Sequence, residues 1–132
     1  MSDAEDIDEL EEIRKQKREK LTSRAQSPSE PIDVTGSAHL QELLETHPVV
    51  LVDFHADWCG PCKMLAPTVA KIATETDAAV LKVDIDAHQN LATEYQVQGV
   101  PTLYLFANGE VHDRMVGVQD KATLLQKIDA VA

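Results

Sequence analysis

The chain has two cysteines, separated by two residues in Trp58-Cys59-Gly60-Pro61-Cys62-Lys63. An apolar run, Val49-Val50-Leu51-Val52-Asp53-Phe54, precedes them, and a helical pattern begins at the second. Two thiols at this spacing, placed where a helix starts, can approach and close a small disulfide ring. Pro61 suits the first helical turn, where its missing N–H is no loss. Cys59 then lies just ahead of the free N–H groups, at the positive end of the helix dipole, and such a place favours thiolate over thiol. Thiolate is the attacking species in disulfide exchange. Two other uses of the pair stay open. It could be half of a zinc site, but His39, His47, His55, His88 and His112 show no His-x₃₋₅-His spacing, and only single histidines converging in space would complete one. It could also be two inert cysteines; two are too few for a disulfide framework. A Cys-x-x-Cys within a β-α-β pattern points to redox work.

The elements that must hold this pair follow from periodicity. Residues 32–34 can form a short edge strand. Ser37 can cap a helix running to Thr46, with Leu40, Leu43 and Leu44 on one face, and Pro48 stops it. Residues 49–54 read as a strand covered on both faces. Residues 62–76 read as a helix with Leu65, Val69, Ile72 and Ala73 facing the core, and Pro67 inside it is expected to kink it. Residues 80–85 form a second buried strand, and Asp86 can cap a helix to about Tyr95. Strands at 102–106 and 110–116 are joined through Ala107-Asn108-Gly109, and Asn-Gly is a strong hairpin signal. Asp120 caps a last helix whose Leu124, Leu125, Ile128 and Val131 face inward. The order β-α-β-α-β-α-β-β-α predicts an α/β fold whose parallel sheet gains an antiparallel edge from the closing hairpin, making a central mixed sheet flanked by helices.

Composition narrows the function. The net charge of −11 disfavours nucleic acid, which needs a cationic surface. Apolar residues make up 43% of the chain, near the globular norm of roughly 45–50%, so a core can form. Aromatics are only 4%, which predicts a mostly aliphatic core. No apolar run approaches the roughly 20 residues of a membrane-spanning helix. The opening Met-Ser-Asp-Ala-Glu-Asp is acidic where a signal peptide is basic and then apolar. A soluble, cytoplasmic protein acting without membrane or nucleic acid is the expectation. Residues 1–30 hold 9 acids and 6 bases, with acids crowded first and bases second. That order suits a helix dipole, and Glu11 and Lys15 make a favourable i,i+4 pair. The apolar stripe of Ile7, Leu10, Ile13 and Leu21 is thin, however, and residues 23–31 with two prolines read as a linker. The expected organisation is a flexible or marginally helical extension over 1–30 and one domain over 31–132.

Val52-Asp53-Phe54-His55-Ala56-Asp57-Trp58-Cys59-Gly60-Pro61-Cys62-Lys63 resembles the active-site segment of the thioredoxin family. Val97-Gln98-Gly99-Val100-Pro101-Thr102-Leu103 is similar to that family's cis-proline loop, and Phe106-Ala107-Asn108-Gly109-Glu110 with Val116-Gly117 to its final hairpin. The resemblance covers about residues 32–132. It implies the thioredoxin fold and a dithiol–disulfide oxidoreductase that reduces protein disulfides and is recharged by a thioredoxin reductase. No cofactor is implied beyond a redox-active Cys59–Cys62 disulfide. Cys59 would attack the substrate disulfide, and the more buried Cys62 would then attack the Cys59 sulfur. Asp53 resembles the family's buried carboxylate; flanked by Val52 and Phe54, it is expected to be buried with a raised pKa, fit to accept the Cys62 proton. Lys82 matches a family lysine near that carboxylate. A cis bond before Pro101 is implied, with the Val100 backbone pairing with an extended substrate strand. Trp58, Gly60, Pro61, Gly99, Val100, Pro101 and Gly117 would form the docking surface. Asp53 as a structural hydrogen-bonder, Lys82 as an ordinary strand lysine and Gly117 as a turn glycine are the plainer alternatives.

Two features depart from the pattern. His55 stands where many members carry an aromatic such as Trp, and it reads either as a packing substitute or as a group tuning local charge. The extension over 1–30 precedes the point where compact members begin. Residues 32–132 carry 14 acids and 6 bases, a balance that fits either a solvated anionic surface or adaptation to high salt, as in a haloarchaeal-type member. The expected protein is a monomeric reductase of protein disulfides. The competing reading is a non-catalytic interaction subunit that uses the same surface together with an N-terminal helix.

Overall fold

A computed structural model describes residues 10–14 and 28–132. Residues 10–14 are helical and exposed; the rest of the expected N-terminal helix, the Glu11–Lys15 pair and residues 23–27 of the expected linker lie outside the described residues. The chain meets the domain body just ahead of the first strand, where the Ser29 carbonyl accepts a 3.2 Å hydrogen bond from Thr74 Oγ1.

From there the elements are β1 (Ile32–Asp33), α1 (Ser37–Thr46), β2 (Val49–His55), α2 (Gly60–Glu75), β3 (Ala79–Asp84), α3 (Gln89–Glu94), β4 (Thr102–Ala107), β5 (Glu110–Val116) and α4 (Lys121–Val131). The predicted order holds throughout. The five strands form one sheet ordered β1-β3-β2-β4-β5. β1 and β2 run parallel to β3, while β4 runs antiparallel to both β2 and β5.

β2 lies at the centre because its run of apolar residues serves two cores at once. Val49 and Leu51 pack with Leu65, Val69 and Ile72 of α2, Leu103 and Leu105 of β4, and Leu124 and Ile128 of α4. Val50, Val52 and Phe54 point the other way, onto Leu40 and Leu44 of α1 and Leu91 of α3. Side chains alternate along a strand, so Asp53 and His55 belong to the α2 face. The few aromatics gather instead of scattering: Phe54, Tyr95, Tyr104 and Phe106 contact one another with ring centroids 5.5–6.1 Å apart.

Local signals are met at some ends and missed at others. Asn108 (φ 51°) and Gly109 (φ 81°) both take left-handed conformations, as a two-residue hairpin turn requires. Asp120 caps α4, accepting 2.8 Å from the Thr123 amide. Two predicted caps are corrected. Ser37 is already inside α1, whose cap position is Gly36; the His39 ring reaches back instead, with Nδ1 accepting 3.0 Å from the Thr35 amide. Asp86 caps nothing, because α3 starts later, after His88. α2 begins at Gly60, two residues before the expected start, and continues through Pro67.

Candidate active site

The end of β2 delivers the chain into a tight turn, with the Cys59 amide donating 3.2 Å to the Ala56 carbonyl. Cys59 therefore occupies the cap position of α2, with Pro61 in the first turn. The two cysteines are joined as a disulfide, with Cα atoms 5.3 Å apart, within the normal span of such a bond. The Cys62 backbone N–H donates to Cys59 Sγ at 3.2 Å. Once the bond is reduced, that donor and the aligned peptide dipoles of α2 favour negative charge on Cys59. Burial differs from expectation. Cys62 is not the more hidden of the two, since Cys59 is 4% exposed and Cys62 5%. In the bonded state both sulfurs lie in one apolar cluster with Ala56, Ile85 and Val100.

Two loops meet at the disulfide. Val100 precedes Pro101 through a cis peptide bond, as the family resemblance implied, and its carbonyl oxygen lies 3.6 Å from Cys59 Sγ. Pro101 is buried, Val100 half-buried and Gly99 exposed. The Gly99 carbonyl accepts 2.6 Å from Thr102 Oγ1, and the Pro101 carbonyl accepts 2.8 Å from the Gly117 amide. Gly117 has φ 93°, so it is a turn glycine that also anchors the loop facing the cysteines. Gly60 and Pro61 are exposed, and Trp58 stands 69% exposed beside them.

Asp53 is 1% exposed, and no protein group donates to its buried Oδ1. Loss of hydration raises its pKa to about 6, and the nearby charge of Lys82 opposes that rise. Lys82 stands directly beside Asp53 in the β2–β3 register. Both share the sheet face covered by α2, whose buried stripe begins with Cys62 and continues through Leu65 and Val69. His55 is half-buried on the same face, and burial is the main cause that lowers its pKa.

One residue of the site was not foreseen. Asp86 accepts a 2.9 Å hydrogen bond through Oδ2 from Trp58 Nε1. The two are 28 positions apart, and an aspartate ahead of a helical run looks locally like a cap, so nothing nearby in the chain signals the contact.

A disulfide at the start of a helix that covers the sheet face holding a buried acid, with a cis-proline loop opposite the sulfurs, defines a dithiol–disulfide oxidoreductase built on a mixed sheet with helices on both faces. The family model described as Thioredoxin matches residues 30–130. The chain belongs to the thioredoxin family. It is 45% identical over 105 residues to a thioredoxin of Mycobacterium tuberculosis, covering 78% of this chain and 90% of that one. It is 42% identical over 102 residues to a bifunctional thioredoxin reductase/thioredoxin of Mycobacterium leprae, covering 76% of this chain and 22% of that one. Among solved structures, a mutant thioredoxin from the haloarchaeon Halobacterium salinarum superposes with a TM-score of 0.78 at 50% identity, covering 80% of this chain and 93% of that one.

Proposed function

We propose that this protein is a general reductant of protein disulfides. The observation that carries the reading is the Cys59 sulfur at the cap of α2, with the Cys62 amide directed at it from 3.2 Å. The Cys59 thiolate attacks one sulfur of a substrate disulfide, forms a mixed disulfide and expels the other sulfur as a thiolate. Cys62 gives its proton to the Asp53 carboxylate and attacks the Cys59 sulfur. The second substrate thiolate leaves, and the Cys59–Cys62 bond remains. Two electrons have passed from the protein dithiol to the substrate. Lys82 favours the ionised form of Asp53 and so keeps it ready to accept.

The substrate enters as an extended strand along the Val100 backbone, over a surface made by Trp58, Gly60, Pro61, Gly99 and Gly117, while Pro101, expected on that surface, is buried and shapes the loop from beneath. No cofactor beyond the cysteine couple is required. A thioredoxin reductase recharges the oxidised form; the Mycobacterium leprae relative, whose name joins both activities, supports that partner. The protein works in the cytoplasm as a monomer. Insulin reduction by dithiothreitol should be accelerated by the wild type and not by Cys59→Ser. Cys62→Ser should accumulate mixed disulfides with protein partners. Equal turnover by wild type and Cys59→Ser would leave only an interaction role.

A further inference from the structure

Asp33 of β1, Lys82 of β3 and Asp53 of β2 stand side by side in the sheet register. Two residues further along the strands, Asp84 of β3 and His55 of β2 form the next pair on the same face. The row thus leads from the fully buried Asp53 to a half-buried imidazole at the end of β2, next to the loop that carries Cys59. Asp53 and His55 have Cα atoms about 6.6 Å apart at the usual strand rise, a gap that their side chains and one water can bridge. The charges acting on His55 are Lys82 and Asp84 of β3, Asp33 of β1 and Asp57 of its own loop. On this face α2 contributes Leu65 and Val69, and β4 contributes Leu103 and Leu105, all uncharged.

Transfer from an ordinary thiol, with a pKa of roughly 8.5, to a carboxylate near 6 runs uphill, so Cys62 is held as the attacking thiolate only as far as the proton is drawn on out of Asp53, and the surrounding side chains are largely apolar. A lysine ammonium has donors but no acceptor, whereas a neutral imidazole has one of each. We propose that His55 is the proton port of the resolving step, carrying the proton that Asp53 takes from Cys62 out to solvent. The inference rests on the reading of Asp53 given under Proposed function. The proton passes from the Cys62 thiol to the Asp53 carboxylate, from there to a ring nitrogen of His55, and from the opposite nitrogen to water or the departing substrate thiolate. No electrons move in these transfers. Burial holds the ring below its ordinary pKa, so near neutral pH it is an acceptor, and Asp84 at its side stabilises the cation that forms. His55 acts through Asp53 and is a positioning residue rather than a catalytic one.

Reduced protein mixed with 5,5′-dithiobis(2-nitrobenzoate) separates the two steps. One coloured thiolate appears when Cys59 attacks, and a second when Cys62 resolves. In His55→Phe, which keeps a ring in the space, and in His55→Ala, the second phase should slow about tenfold relative to the first at pH 7. That is less than the roughly 10²–10⁴ of a base acting directly. Added imidazole should restore His55→Ala and not His55→Phe. Second phases matching wild type between pH 5.5 and 8 would overturn the proposal, and so would equal slowing of both phases, which marks a packing role. Asp53→Asn separates the two readings. If it leaves the second phase unchanged, the role of Asp53 fails and the port fails with it. If it slows that phase while the His55 variants do not, only the port is lost.

Discussion

Trp58 is tethered to Asp86: its indole Nε1 donates a 2.9 Å hydrogen bond to the Asp86 carboxylate while the ring stays 69% exposed. An exposed indole left free would sample several rotamers, so the bond holds a large apolar plate beside Cys59. Asp86→Ala should therefore weaken the reduction of protein substrates about fivefold, the equivalent of roughly 1 kcal/mol for one hydrogen bond. Reaction with a small disulfide should change little. Trp58 is the only tryptophan, so its fluorescence anisotropy should fall in the variant. Unchanged anisotropy would show that the plate is held by something else.

Asp53 predicts how stability depends on pH. Its folded pKa, about 6, lies above its unfolded value of 3.8. Between those values the folded chain holds the proton more tightly than the unfolded chain, so stability falls as pH rises through that window. The gap corresponds to a loss on the order of 3 kcal/mol, complete above the folded pKa. Asp53→Ala removes the loss, offset by a cavity term that does not vary with pH. In urea melts of the oxidised protein, the variant should gain on wild type between pH 4.5 and pH 8. A difference that stays constant across that range would contradict a buried, protonatable Asp53.

The two cysteines should differ in reactivity although both are buried in the bonded state. Only Cys59 receives an amide donor at its sulfur from the first turn of α2, so thiolate character and not exposure sets the order. Iodoacetamide added to the reduced protein near neutral pH should modify Cys59 first, as peptide mapping would reveal. Preferential modification of Cys62 would reverse the assigned roles.

Gly117 couples the final hairpin to the loop facing the cysteines. At φ 93° a side chain is strained even though open space surrounds the position. Gly117→Ala should cost about 1–2 kcal/mol and disturb the 2.8 Å hydrogen bond from its amide to the Pro101 carbonyl. A melting temperature lower by several degrees, with protein-substrate reduction falling more than Cys59 alkylation, is the expected pattern. Unchanged melting would mean that the turn adapts.

The order of elements was legible because each carries its own short-range signature. The period of Leu65, Val69 and Ile72, the Asn108-Gly109 turn and the Asp120 cap all act within a few residues. The active-site hexapeptide was legible for the same reason. What the chain hides is contact across distance. Nothing near Asp86 reveals that its partner is Trp58, and nothing near Lys82 alone reveals that it is flanked by both Asp33 and Asp53. Helix starts failed where two neighbouring residues could both serve. Gly36 displaced Ser37 because a capping role needs a non-helical backbone at that position, and helix ends are defined only to within a residue or two.

The outermost strands carry a consequence of their own. β1 is only two residues long and follows Pro31, so it offers almost no ladder for another chain to copy. β5 is longer, but it bears Glu110, Asp113 and Arg114, and the β4–β5 register shifts between Leu105 and Phe106. Short, charged and irregular edges resist the edge-to-edge pairing that starts aggregation. For a protein proposed to capture its substrates by strand pairing at Val100, this protection matters more than usual. Unfolded or partly oxidised chains are the molecules it would meet, and they are also the ones most inclined to add strands wherever a sheet lies open. Blunted borders confine that pairing to the place where two sulfurs are waiting.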